Sequence, residues 1–277
     1  MTALPYPAFQ LSEGTTPLLV SIPHAGLHLT AEVESALTPK AQKLPDTDWY
    51  LPELYDFLAE LGVGVLQANY SRYVIDLNRP VDDQPLYSSK TTGLFPTILF
   101  DESPVFEPGR EPSQTLRQQY KEQIWQPYHT AIAEELARLK AQFGYALLFD
   151  AHSIAAEVPM LFDGKLPDFN WGTNNGLSCS EQLAQLLTEN LGSGYSQVVN
   201  GRFKGGYITR EFGQPDTGIE AVQLELSQAT YLDQIAQTNG EYCLSQSERP
   251  AIQSQLKQLI EAMLSYQPGE SVRTDLG

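Results

Sequence analysis

Four histidines serve the whole 277-residue chain, and two of them, His24 and His152, follow apolar runs directly. His24 closes "PLLVSIPH", behind Leu18, Leu19, Val20 and Ile22, and His152 stands in "ALLFDAHS", behind Leu147, Leu148 and Phe149. Runs this short suit buried strands better than independent helices. Asp150, His152 and Ser153 are then delivered to a strand exit, and in an open α/β sheet such exits converge on one crevice. Two neutral imidazoles, one carboxylate and an open position for water are the usual surroundings of a catalytic zinc ion. The plainer reading is a strand end whose polar groups only hydrogen-bond a loop.

Such a set needs an acid. "LPDTDWY" supplies Asp46 and Asp48 at the start of a predicted helix, where the helix dipole alone favours carboxylates. Capping and metal ligation are therefore both open. No short-range zinc motif such as H-E-x-x-H occurs, so positions 24, 48 and 152 form no testable spacing. Glu225 in "QLELSQ" shares one face of an alternating strand with Gln223, opposite Val222, Leu224 and Leu226. A carboxylate so placed is either solvated or a general base, taking a proton from an attacking water and passing it to a departing amine.

Cations are scarce, yet Arg72 and Arg79 bracket "RYVIDLNR", and Arg202, Lys204 and Arg210 gather in "GRFKGGYITR". Isolated arginines on an acidic protein are most often solvated. These sit beside glycines and strand ends instead. The planar fork of Arg matches a carboxylate, and Gly205 and Gly206 let the backbone come close to a ligand. The expected ligand is a small anion.

The elements that must position these groups follow from periodicity. Strands are predicted over "PLLVSI", "VGVLQANY", "YVIDLNR", "ALLF", "SQVV" and "EAVQLELSQ". Helices are predicted from Trp49 to Leu61, from an N-cap at Ser113 to a stop at Gly144 with a kink at Pro127, from Ser180 to Leu191, and from Arg249 to Tyr266. "GKLPDFNWGTNNG" reads as a loop. Residues 80–112, with six prolines, form a long excursion and a candidate lid, and 267–277 a loose tail. Alternating strands and helices imply an α/β fold with parallel strands in the centre of its sheet, here one catalytic domain over 1–277.

Composition narrows the partners. Thirty-four acids against 17 Lys and Arg give a net charge of −17, which repels nucleic acid and anionic membrane surfaces. Cys179 and Cys243 lie far apart and outside any C-x-x-C pattern, and both read as reduced core residues. No run of eighteen apolar residues occurs, and the first residues lack a basic segment followed by an apolar one. A cytoplasmic enzyme is the natural expectation.

Taken together, "SIPHAG", "LPDTDWY", "SRYVIDLNRP", "DAHS", "NGRFKGGYITR" and "QLELSQ" resemble the N-formylglutamate amidohydrolase family, from about Pro17 to Tyr231. The resemblance implies hydrolysis of N-formyl-L-glutamate to formate and L-glutamate, the closing step of one route of histidine breakdown. It also implies a three-layer α/β sandwich around a mixed, mostly parallel sheet, like zinc-dependent exopeptidases and amidases (phosphorylase/hydrolase-like). By motif, His24, Asp48 and His152 would hold Zn²⁺, or another divalent transition metal, and Glu225 would be the general base. Asp46 and Asp150 are the rivals of Asp48; Asp150 could instead orient a ligand imidazole. Arg72, Asn78, Arg79, Arg202, Lys204, Gly205, Gly206 and Thr209 look like substrate binders. His129 in "QPYH" has either a substrate role or a packing role, and His28 is read as surface. The alternatives are a deacylase of another N-acyl amino acid or small peptide, and a non-catalytic dicarboxylate binder.

Overall fold

The structure, a computed structural model, describes residues 4–86 and 91–269. Seven strands form one sheet: β1 (Phe9–Ser12), β2 (Leu18–Ile22), β3 (Gly64–Ala68), β4 (Ala146–Ile154), β5 (Phe169–Gly172), β6 (Gln197–Val199) and β7 (Ile219–Ser227). Their order is β1-β3-β2-β4-β7-β5-β6. The central strands β3, β2, β4 and β7 run parallel, β1 and β5 pair antiparallel with β3 and β7, and β6 lies parallel to β5. The mixed, mostly parallel α/β sheet expected from the sequence is therefore present.

Eight helices accompany it among the described residues: α1 (Ala31–Ala36), α2 (Leu51–Leu54), α3 (Gln114–Tyr120), α4 (Gln126–Phe143), α5 (Glu181–Glu189), α6 (Tyr207–Phe212), α7 (Gln234–Thr238) and α8 (Arg249–Ser265). Side chains alternate across a strand, so β4 serves two cores at once. Leu147, Phe149 and Ala151 join Val222 and Leu224 of β7, Leu183 of α5 and Leu256 of α8 on one face. Ala146 and Leu148 join Ile132, Leu136 and Leu139 of α4 on the other. Each fully buried Leu or Phe contributes about 1.5–3 kcal/mol, so the two layers clamp β4 along its whole length. All nine of its residues are buried.

The predicted long helix does form, and its irregularity is a π-turn over Lys121–Trp125 between α3 and α4. Pro127 stands two residues after this π-turn, inside a helix that continues through Trp125, so the irregularity lies in the turn that precedes the proline. Ser113 caps α3 by accepting from Leu116 N at 3.3 Å. Gly144, at φ 86°, ends α4 in the left-handed conformation and turns the chain into β4.

Other expectations are corrected. The helix predicted over 49–61 is only α2 followed by a 3₁₀ turn, Asp56–Ala59, because the backbone leaves the helical region at Tyr55, with φ −101° and ψ 18°. "YVIDLNR" is not a strand; its backbone turns, and Asp76 N donates to Leu94 O at 2.8 Å. β1, β5 and α1 were not foreseen. Cys179 is buried as expected, but Cys243 is exposed. The 80–112 excursion has no helix or paired strand among its described residues, yet it buries Leu94, Leu99 and Val105. Most of the expected loose tail lies outside the described residues.

Candidate active site

β2 connects to β3 on one side of itself, and β4 lies on its other side, so the β2–β4 pair is a topological switch point. His24 follows the end of β2 and His152 lies near the end of β4. β7 then places Glu225 directly opposite His152 in register. Gln223 and Asp150 form the preceding pair on the same face. The polar residues thus continue, towards the strand ends, the face that Leu148 and Ala221 present to α4.

The imidazoles of His24 and His152 have ring centres 4.9 Å apart. Asp48 reaches them from the loop before α2; its N–H donates to His24 O at 3.1 Å. Asp48 Oδ2 lies 3.8 Å from His24 Nδ1 and 3.1 Å from His152 Nδ1. Each ring's other nitrogen faces a different buried carboxylate: His24 Nε2 is 2.7 Å from Asp76 Oδ1, and His152 Nε2 is 3.1 Å from Asp150 Oδ2. His24 Nε2–H can donate to Asp76 Oδ1, which leaves its Nδ1 lone pair directed to the Asp48 side, whereas His152 bonds Asp48 Oδ2 through Nδ1 and meets the Asn78 amide through Nε2. One ligand atom from each of His24, Asp48 and His152 lies within 4.8 Å of the others. Asp46 turns away and accepts Phe100 N at 3.2 Å.

Burial holds His24 below its ordinary value, whereas at His152 burial is outweighed by Asp150 and Asp48, which hold the ring well above it. Burial pushes Glu225 up to about 8, with Asp48 and Asp150 adding to the rise. Asp48, Asp76, Asp150 and Glu225 gather around the two imidazoles, all of them buried, with Arg72 bonded to Asp76. A divalent cation is the chemistry that such a donor set fits: buried nitrogen and oxygen donors, with the far ring nitrogens steadied by carboxylates.

The cavity over this group measures about 60 Å³ and is lined by His24, Asp48, His152 and Glu225, together with Arg72, Asn78, Arg79, Arg202 and Gly206. Arg72 is also held by Asp76, Nη2 to Oδ2 at 2.6 Å. Arg79 binds the 80–112 segment through Thr92 O at 2.7 Å and Thr91 Oγ1 at 3.0 Å. Arg202 donates to Leu161 O at 2.5 Å. Asn78 approaches His152 Nε2 at 3.0 Å and accepts from Ile208 N at 2.9 Å. Gly206 donates to Gln223 Oε1 at 2.6 Å, and a Cβ there would overlap the Asn78 amide.

Lys204, Gly205, Thr209 and His129 do not line this cavity. Thr209 Oγ1 donates to Asp150 Oδ2 at 3.2 Å, behind His152. Gly205, at φ 103°, makes the tight turn into α6, and Lys204 O accepts from Asn174 N at 2.6 Å. His28 is exposed and stacks on Tyr6 at 3.7 Å.

His129 is held by packing. Its ring stacks on Trp125 at 3.8 Å, Nδ1 donates to Trp125 O at 2.8 Å, and Nε2 is buried with no hydrogen-bond partner among the described residues. Burial lowers its pKa to about 4 from 6.5, so the folded protein keeps the ring neutral where the unfolded chain protonates it. Stability is unaffected above pH 6.5 and falls as pH drops towards 4, by up to about 3 kcal/mol. His129→Phe is expected to lose less stability than the parent over that interval in urea titrations. Equal losses in the two proteins would refute this.

Asp76 was missed by sequence reasoning. It is fully buried and joins His24, Arg72 and the Asn78 N–H at 2.9 Å. Burial opposes its charge, but His24 and Arg72 hold it well below the ordinary carboxylate range. The available signal was an acid inside an apolar run, four residues after an arginine.

A parallel-centred sheet whose strand ends gather imidazoles, carboxylates and guanidinium groups in one buried cavity has the make-up of an enzyme site. The profile of the N-formylglutamate amidohydrolase family matches residues 16–232. The chain belongs to that family. It is 55% identical to the N-formylglutamate deformylase of Pseudomonas aeruginosa over 255 residues, covering 91% of this chain and 94% of that one. It is 53% identical to the enzyme of the same name from Pseudomonas putida over 256 residues, 92% and 94% of the two chains. In fold it is similar to the crystal structure of N-formylglutamate amidohydrolase from Ralstonia eutropha JMP134, with a TM-score of 0.80 at 22% identity, over 94% of this chain and 98% of that one. No helix among the described residues is long and apolar enough to cross a membrane.

Proposed function

We propose that this chain hydrolyses N-formyl-L-glutamate to formate and L-glutamate as a zinc enzyme of histidine breakdown in the cytoplasm. The names of its relatives support the reaction. The observation that carries the metal is the convergence of two imidazole nitrogens on Asp48, with Glu225 on the neighbouring strand.

His24, Asp48 and His152 would hold the ion. When bound, a zinc or similar divalent ion supplies Lewis acidity, polarising an amide carbonyl and making water more acidic. Glu225 accepts the proton of the attacking water and returns it to the glutamate nitrogen as the amide bond breaks. Arg72, Arg79 and Arg202 bind the two carboxylates, with Asn78 and Gly206 completing the wall. Lys204, Gly205 and Thr209 support this loop from outside the cavity. Asp76 holds the His24 imidazole in the tautomer that presents Nδ1, and Asp150 stands beside the His152 ring.

Purified protein supplied with Zn²⁺ is expected to release formate and glutamate from N-formyl-L-glutamate. Chelation should abolish turnover and added Zn²⁺ restore it. No formate from the loaded protein would end this reading. Turnover that survives exhaustive chelation would remove the metal from it.

A further inference from the structure

The cavity at the strand ends is roofed by a small apolar cluster that belongs to neither core. Ile154, Val158 and Leu166 are buried in it, and Phe100, Leu161 and Phe203 pack on it half-buried. Beyond this roof lies a second chamber of about 360 Å³, walled by Pro45, Asp46, Leu99, Val158, Gln228 and Tyr242 among others. Phe100, Ser153 and Ile154 line both spaces and so form the partition between them.

The two sides differ in chemistry. Arg72, Arg79 and Arg202 line the inner cavity, whereas among the described residues no arginine or lysine lines the outer chamber, whose charged groups are Asp46, Asp101 and Glu157. Carboxylates of a substrate are therefore held inside and repelled from the outer chamber. An uncharged acyl chain is not. Phe100 is fixed in the partition from two directions: its N–H donates to both Asp46 oxygens at 3.3 and 3.2 Å, and its ring centre lies 4.8 Å from Arg72 Cζ.

We propose that Phe100 and Ile154 confine the acyl group to formyl by closing the space that a longer chain would need; this rests on the deformylase reading above. A formyl carbon carries only hydrogen beside its oxygen and nitrogen. Acetyl or butyryl adds carbon that must go somewhere, and the small inner cavity is already shared with the glutamate portion. Ile154 follows His152 by two residues on β4 and so shares its face of the strand, and both line the inner cavity. An apolar wall discriminates one methylene by roughly 10- to 200-fold, which sets the size of the effect.

The experiment compares kcat/KM for N-formyl-, N-acetyl- and N-butyryl-L-glutamate in the zinc-loaded parent, Phe100→Ala and Phe100→Leu. The acetyl-to-formyl ratio is expected to rise about tenfold or more in Phe100→Ala, with a smaller rise in Phe100→Leu, which keeps the apolar cluster filled. Loss of folded or loaded enzyme, or of the stacking on Arg72, weakens all three substrates and cancels in the ratio. A ratio within about twofold of the parent in both variants would overturn the proposal, the wall then contributing less than one methylene's discrimination. A parent enzyme that released no formate from N-formylglutamate would overturn the deformylase reading instead.

Discussion

Glu225→Gln is expected to lower formate release about 100- to 10,000-fold, the range for loss of a positioned general base. The amide keeps the size of the carboxylate and can still accept from Gln223 Nε2, which lies 3.2 Å from Glu225 Oε2. Burial already works against a charge at this position, so a neutral side chain should leave the melting temperature unchanged or raise it. Glu225 is also no member of the His24, Asp48 and His152 group, so metal content should persist. The loss should fall on kcat, with KM little altered. Steady-state kinetics beside metal analysis and a thermal melt check all of this, and unimpaired turnover would remove Glu225 from the chemistry.

Asp76→Asn should damage the protein in a different way. The variant preserves shape but withdraws the negative charge beside Arg72, whose guanidinium is buried and bonded to Asp76 at 2.6 Å. Breaking a buried pair from one side typically costs about 3–5 kcal/mol, because the remaining charge is left uncompensated. Asp48 and Asp46 also act on Arg72, so the lower end of that range is expected. His24 loses its carboxylate partner in the same step, which should weaken zinc binding by about 10- to 100-fold. Urea denaturation measures the first effect and competition with a chromogenic chelator the second. A variant as stable as its parent, with unaltered zinc affinity, would show that Asp76 supports neither neighbour.

The elements that position the site were legible where one physical requirement dominates. "ALLF" is buried on both faces, so only an apolar run satisfies it, and α4 and α8 carry one apolar stripe each. "YVIDLNR" misled for an instructive reason. Tyr73, Val74, Ile75 and Leu77 lie in the core, and Arg72, Asp76 and Asn78 turn to the site, so Val74 breaks a strict alternation. A loop between a core and a polar cavity mixes apolar and polar residues much as a half-buried strand does, and the destination of its backbone hydrogen bonds separates the two. β1, with four residues and three of them exposed, offers too little contrast to detect. Asp76 was invisible because its importance depends on His24, 52 positions away, and on no local pattern. Clustering of Lys204 with its basic neighbours suggested a shared direction that the turn at Gly205 does not allow.

The in-register pairing of His152 with Glu225 has a consequence for how this enzyme can change over time. Their separation is gauged by the hydrogen-bond ladder between adjacent strands, roughly 4.8 Å from one backbone to the next, and by no adjustable loop. Drift in the surrounding segments can reshape what the cavity admits without altering that gauge. A slip of one position along the ladder would turn the shifted strand's side chain to the opposite face and leave its partner behind, so descendants keep the register or lose the pair.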